Sequence, residues 1–348
     1  MTVEHQDNTA DPGEQVAGEF RPKNVLFLID MVTASSWYRC NTPGAALAKR
    51  GHDVWIKDRF NQHDLKWCDV LVVQRLWQPT VLEAIREMNQ AGKLTVFDVD
   101  DDYWSLHTSN PAYQSWQQPG ALNALASVIK SCQIVTVTTA ALAARLKQFN
   151  PNIRVIPNSL PGQLWPDAPK DVGHDGPLVV GWAGGSSHYI DLREVSAIFP
   201  QILERYPQVE VRLIGANPAW FSPDAGVTFV EAVPIEEYPA LLGGFDIGLA
   251  PLEDTRFNAS KSDLKIIEYS MVGLPIIASK VSTYSRSIRP GESGFLAKNS
   301  KDWLKHLRRL IEQPEVRVSM GAEARKWAES RVIAKNVDLW LDAYHLDH

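Results

Sequence analysis

The stretch Asn258–Ser279, NASKSDLKIIEYSMVGLPIIAS, changes character twice within itself. A polar, basic opening turns into a helical pattern that starts near Ser262 or Asp263 and carries a lone glutamate, Glu268. Gly273-Leu274-Pro275 breaks that helix, and the apolar run 276–279 reads as a buried strand. Immediately upstream, DIGLAPL (246–252) has the same apolar character. Strand, polar loop, helix and strand in succession form the repeating unit of a parallel sheet with crossover helices.

Working outward, the alternation extends in both directions. LVVGWAG (178–184), VEVRLIG (209–215) and VTFVEA (227–232) precede the stretch as strands, and GFLA (294–297) follows it. A second run of the same kind fills the N-terminal half, with NVLFLID (24–30), DVLVVQR (69–75), KLTVFDVD (93–100) and IVTVTT (134–139) as strands between helical segments. Residues 159–177 are rich in Pro and Gly and lack periodicity, as a connection does. The expected fold class is therefore α/β, with two Rossmann-like doubly wound domains facing a cleft. Residues 1–21 read as a polar, disordered leader, 22–160 as the first domain, 161–177 as linker and 178–330 as the second domain. The final segment, 331–348, reads as a helix crossing back toward the first domain.

The chain has 348 residues, 45% hydrophobic and 22% charged, which suits two sizeable cores. Lys+Arg 35 against Asp+Glu 41 gives a formal net charge of −6, so no global positive field draws the protein to nucleic acid. Cys40, Cys68 and Cys132 are scattered and odd in number, which argues against a disulfide framework or a zinc site and fits a reducing, cytoplasmic setting. No apolar run reaches the ~18 residues of a membrane span. Only peripheral membrane contact is left open.

Ligands of doubly wound sheets gather outside the carboxyl ends of the strands, so the loops after strands are where chemistry is sought. Ser262 is expected to cap the helix that follows it. The free amides around Asp263, Leu264 and Lys265 then carry the positive end of the helix dipole and suit a phosphate, with Lys261 and Lys265 as added cations. Glu268, about one and a half turns further on, can accept hydrogen bonds from the vicinal hydroxyls of a ribose. A nucleoside diphosphate lying along the helix satisfies both ends. The plainer alternative pairs Glu268 with Lys261 or Lys265.

The segment from Glu268 to Pro275 with the IIAS that follows resembles the E-A-M-A-x-G-x-P-V-V-A segment of retaining nucleotide-sugar glycosyltransferases of the two-domain GT-B fold, the glycosyl transferases group 1 or family 4-like enzymes. VGWAGGSSHYIDL (180–192) is similar to the Gly-rich loop that opens their nucleotide domain. The resemblance implies transfer of a sugar from a nucleotide-diphosphate sugar to a hydroxyl acceptor with retention, the donor serving as co-substrate with no further cofactor and no metal. It also implies that Glu268 holds the donor ribose and that Gly273 and Pro275 form the turn after the helix.

Two departures accompany it. Ser260 stands where the family commonly has a second glutamate, and Trp182, Gly184, Gly185, Ser186, Ser187 and His188 stand where many relatives have Arg and Lys. Glycines and serines after a strand still present amides and hydroxyls to a phosphate. The expected donor-binding residues are thus Gly184, Gly185, Ser186, His188, Asn258, Lys261, Ser262, Leu264, Lys265 and Glu268, with Asn258 or Lys261 taking over work of the missing glutamate.

In the first domain, FLIDMVTASSWYRC (27–40) places Ser35, Ser36, Tyr38 and Arg39 at the cleft mouth, Tyr38 and Arg39 as acceptor or interdomain residues. Arg39 suits a phosphate, a carboxylate or a sugar hydroxyl, or an interdomain salt bridge. VFDVDDDYWSLHTS (96–109) crowds Asp98, Asp100, Asp101 and Asp102 together, and like charges so clustered mark a metal site or a functional one. A metal clamp belongs to a different glycosyltransferase fold, and a phosphatase-type nucleophile needs the motif after the first strand. The remaining reading makes Asp100, Asp101 or Asp102 the group that orients or deprotonates the acceptor hydroxyl, with His107 near enough in sequence to substitute. Trp104 and Trp182 are the tryptophans expected to stack on sugar. A sugar-nucleotide epimerase on the same scaffold and a non-catalytic nucleotide-sugar or glycan-binding protein are the alternatives. The acceptor, whether glycan, lipid-linked, protein or small molecule, is left open.

Overall fold

The structure, a computed structural model, describes residues 21–165, 176–215 and 226–346. All but the last residue of the leader expected at 1–21 and most of the linker expected at 161–177 lie outside the described residues. The remainder forms two six-stranded sheets in which every paired neighbour is parallel.

In the first domain the strands are β1 (Asn24–Leu28), β2 (Asp53–Lys57), β3 (Val70–Gln74), β4 (Leu94–Val99), β5 (Ile134–Val137) and β6 (Ile153–Val155), in the order β2-β1-β3-β4-β5-β6. In the second they are β7 (Leu178–Ala183), β8 (Val209–Gly215), β9 (Val227–Glu231), β10 (Ile247–Ala250), β11 (Ile276–Ser279) and β12 (Phe295–Ala297), ordered β12-β11-β10-β7-β8-β9. Central strands such as β3 are buried at every position because helices cover both faces, which is why they read as unbroken apolar runs. Strand order reverses between β1 and β3 in one sheet and between β7 and β10 in the other. A reversal opens a crevice beyond the carboxyl ends, since the flanking helices leave on opposite faces.

The C-terminal helices tie the domains together. Helix 300–312 packs Trp303, Leu307 and Leu310 into the core of the second sheet. Helix 314–328 runs against helix 264–271 so closely that a Cβ on Gly321 would lie 2.1 Å from the Gly273 carbonyl oxygen. The chain then crosses back. Leu160 accepts from Ile333 N and donates to Arg331 O, both at 2.8 Å, and Val337, Trp340 and Leu341 join Val25, Phe27 and Val72 in the core of the first domain. Part of that core therefore comes from the opposite end of the sequence. Among the described residues, no helix is long and apolar enough to cross a membrane.

Candidate functional site

The loops beyond β1, β4, β7, β9 and β10 converge on a cavity of about 640 Å³ lined by both domains. Its floor is the helix Leu264–Met271. A Schellman turn ends this helix, with Gly273 N donating to Ser270 O at 2.9 Å and Leu274 N to Tyr269 O at 3.0 Å. Gly273 supplies the positive φ of 74° that the turn needs. Pro275 then directs the chain into β11.

The other end of the helix differs from the sequence expectation. Helical residues begin at Leu264, with Asp263 at the cap position and no side-chain cap bond. Ser262 does not cap: its hydroxyl accepts instead from Asn158 Nδ2 of the first domain at 3.0 Å. Asp263 turns away from the cavity to Arg331 at 2.9 Å and accepts from Ser287 Oγ at 2.5 Å. The first-turn amides thus keep no side-chain acceptor of their own and border the cavity through Leu264 and Lys265.

Lys261 and Lys265 both line this space. Lys261 Nζ stands 3.5 Å from Asp101 Oδ1 of the first domain, an ion pair spanning the junction. Lys265 donates to the Ala183 carbonyl at the end of β7, and Tyr269 OH accepts from Ala183 N at 2.8 Å, so one helix grips both polar groups of the residue before the Gly184 loop. Burial lowers the Lys265 ammonium to about 8, with Glu268 acting against the fall.

Glu268 is 6% exposed and makes no pair with Lys261 or Lys265; its two oxygens accept from Tyr38 OH at 2.8 Å and Tyr238 OH at 3.2 Å. Burial raises its pKa, while the charge of Lys265 and the two tyrosine bonds oppose the rise. A carboxylate so held can exchange a phenol for a ligand hydroxyl with no change in charge.

Gly184, Gly185 and His188 line the cavity, and Ser186 stands exposed outside it. Gly215 has φ 100°, and a Cβ there would meet Gly184 O at 2.7 Å, so the two loops touch through a position only glycine fills. His188 Nδ1 lies 2.7 Å from Asp191 Oδ2. Burial and the neighbouring charge of Lys261 push its pKa down to about 4. A neutral imidazole whose Nδ1–H faces a carboxylate leaves Nε2 as a hydrogen-bond acceptor, suited to a hydroxyl and not to a phosphate oxygen.

Several expected site residues are engaged by protein partners instead of facing a ligand. Asn258 is buried and donates to Asp191 Oδ1 and Glu253 O, both at 3.1 Å, bracing the His188 support rather than facing the cavity. Arg39 is fully buried. It bonds Asp98 through Nη2 at 2.7 Å and Ile156 O through Nη1 at 2.6 Å, an ion pair within the first domain and neither an interdomain bridge nor a free anion site.

The aspartate run disperses. Asp98 also accepts from Thr136 Oγ1 at 2.6 Å, and Asp102 turns to Ser105 Oγ at 2.7 Å and Arg145 at 3.4 Å. Only Asp100 and Asp101 border the cavity. His107 is exposed beside Ser109, Trp104 stacks on Phe149 at 4.7 Å, and Trp182 is wholly buried in the second core. Sequence reasoning missed Tyr238, Asn158 and the contact of Ser35, whose hydroxyl donates to Asp100 and accepts from Gln74 Nε2 at 3.0 Å. For Tyr238 a signal existed, since residues 232–238 follow β9 at its carboxyl end.

Paired doubly wound domains around an interdomain cavity, with a helix terminus, two lysines and a buried glutamate on one wall, define the GT-B class of glycosyltransferase folds. HepE of Anabaena in complex with UDP has this architecture, with a TM-score of 0.66 at 14% identity over 92% of this chain and 98% of that one. Residues 178–313, the second domain, match the family model described as Glycosyl transferases group 1. Trehalose synthase of Pyrococcus horikoshii is 24% identical over 163 residues, 43% of this chain and 39% of that protein. D-inositol 3-phosphate glycosyltransferase of Pseudarthrobacter chlorophenolicus is 27% identical over 124 residues, 35% of this chain and 28% of that protein. The matched stretch thus spans less than two fifths of the length of either curated relative.

Proposed function

We propose that this protein transfers a glycosyl group from a nucleotide-diphosphate sugar to a hydroxyl acceptor, with retention of anomeric configuration. The observation that carries this reading is the convergence on one cavity of a helix N-terminus, Lys261, Lys265 and the buried Glu268. The diphosphate lies at the first-turn amides between the two lysines. The ribose hydroxyls reach Glu268, replacing a tyrosine as donor. Gly184 and Gly185 allow the phosphates to approach the backbone beyond β7, and His188 Nε2 accepts from a hydroxyl of the transferred sugar.

Breaking the glycosyl–phosphate bond builds positive charge on the sugar ring and negative charge on the departing diphosphate. Lysines and amides already fixed around the leaving group stabilise that charge without reorganising. Asp100 or Asp101, on the opposite wall, orients the acceptor hydroxyl. A cavity closed by both domains keeps water from competing with it.

The UDP held by the Anabaena neighbour makes uridine diphosphate the first nucleotide to test. Isothermal titration with the common nucleoside diphosphates, followed by turnover of the matching sugar donors, examines the reading. Saturable binding of one of them, weakened in Lys265→Ala, supports it. Binding of none rejects it.

A further inference from the structure

The two walls of the cavity differ in charge. The second domain contributes Lys261 and Lys265 together with Glu236 and Glu268 and is mixed in charge, whereas the first contributes Asp100 and Asp101, its only cation on the described lining being Arg39, which is locked to Asp98. Behind the first wall, Arg75 lies near enough to both aspartates to feel their charge, yet it donates to Thr33 Oγ1 at 3.2 Å and is not among the described lining residues. Arg75 offsets part of that charge from behind, and Lys261, paired with Asp101 at 3.5 Å, would be shared with a bound diphosphate; no further unpaired cation stands on the described lining.

Two polar atoms on the first wall are also buried without a hydrogen-bond partner among the described residues. Asp100 Oδ1 is one; its sister oxygen is taken by Ser35. Trp37 Nε1 is the other, on a residue that lines the same cavity. A buried acceptor and a buried donor each cost stability until matched. Phosphate or carboxylate on a ligand only accepts: it would match Trp37 but set a third negative charge against Asp100 and Asp101. An ammonium only donates. A hydroxyl does both.

Resting on the donor reading above, we infer that the acceptor is an uncharged, hydroxyl-rich molecule such as a neutral sugar or polyol, and that Asp100 and Trp37 select it over its phosphorylated or carboxylated counterparts. One acceptor hydroxyl donates to Asp100 Oδ1, which aligns its lone pair toward the donor sugar, and Trp37 Nε1 donates to an acceptor oxygen. The charge of the first wall sets the preference, so it reads out as a ratio between matched ligands and not only as activity.

The test uses the full chain. Calorimetry first identifies the nucleoside diphosphate that binds. With it bound, saturation-transfer NMR measures glucose against glucose 6-phosphate, myo-inositol against its monophosphate, and glycerol against glycerol 3-phosphate. The inference expects at least one neutral member to bind at least tenfold more tightly than its phosphate, and expects Asp100→Asn to narrow that ratio at least fivefold with its melting temperature and nucleotide affinity retained. Should that variant not fold, Trp37→Phe serves instead, with weakened neutral-ligand binding expected. Equal or tighter binding of the phosphates, an unchanged ratio in a folded Asp100→Asn, or no binding of either member while the nucleotide binds would overturn it. Absence of nucleotide binding would remove the donor reading itself, and this inference with it.

Discussion

The Tyr38 hydroxyl and the Glu268 carboxylate, 230 residues apart in the chain and on opposite domains, meet at 2.8 Å inside the cavity. Burial and the charge of Glu268 raise the Tyr38 phenol well above its ordinary pKa, so it stays protonated and donates. One hydrogen-bonding site of the glutamate is thus filled by a residue of the other domain.

Tyr38→Phe leaves Glu268 Oε1 without that donor, at a cost of about 1–3 kcal/mol for an unmatched buried group. A ribose hydroxyl restores the missing donor. The variant is expected to melt earlier than wild type without ligand and to gain more from saturating nucleoside diphosphate, measured by thermal shift. Equal ligand-induced shifts in the two proteins would separate Tyr38 from the donor site.

Lys265 gives the site a pH dependence of defined sign. Burial holds its ammonium near 8 in the free protein, and a bound diphosphate keeps it protonated. Nucleotide affinity should therefore fall as pH rises through about 8, by about tenfold between pH 7 and 9. Lys265→Gln should flatten that slope. Stability moves the other way: between about 8 and 10.5 the unfolded chain binds the proton and the folded one does not, so ligand-free stability gains from this group as pH rises. Calorimetry and melts across this range check both signs.

At Gly215 the backbone has φ 100°, and an added methyl would press on Gly184 O at 2.7 Å. Gly215→Ala should cost about 1–3 kcal/mol of strain and displace the Gly184 loop, weakening nucleotide binding. Gly243→Ala, where a Cβ meets nothing within 4 Å, is the control and should leave nucleotide affinity unchanged.

Arg39 and Asp98 are assigned to folding. Asp98→Ala strands a guanidinium that is wholly buried, which should cost about 3–5 kcal/mol. The melting temperature should drop sharply while nucleotide affinity, measured well below it, holds. A selective loss of nucleotide binding in a stable variant would return Arg39 to the site.

Much of this was legible in the sequence because the second domain carries its signals locally. The helix of Lys265 and Glu268, the Gly273 turn and the loop after β7 each lie within a short run whose residue types state their geometry. The first domain offered no such run. Asp98 falls within β4, so its side chain points into the sheet layer toward Arg39, while Asp100 and Asp101 lie past the strand end and reach the cavity. Nothing in DVDDD marks where the strand stops.

The capping of helix 264–271 was likewise decided from afar. Both Ser262 and Asp263 can cap a helix, and the choice fell to Asn158 and Arg331, 104 and 68 residues away. Trp104 and Trp182 look alike in the sequence to a ring that stacks on sugar. Only packing against Phe149 and the second core distinguishes them from one.

The central claim is that a nucleoside diphosphate lies along helix 264–271. A crystal structure with the nucleoside diphosphate that calorimetry selects tests it most directly. The account predicts phosphate oxygens within hydrogen-bond distance of the Leu264 and Lys265 amides and of a lysine ammonium, with both ribose hydroxyls facing Glu268. A nucleotide bound elsewhere, or one with its ribose turned from Glu268 while Tyr38 keeps its bond, would contradict it.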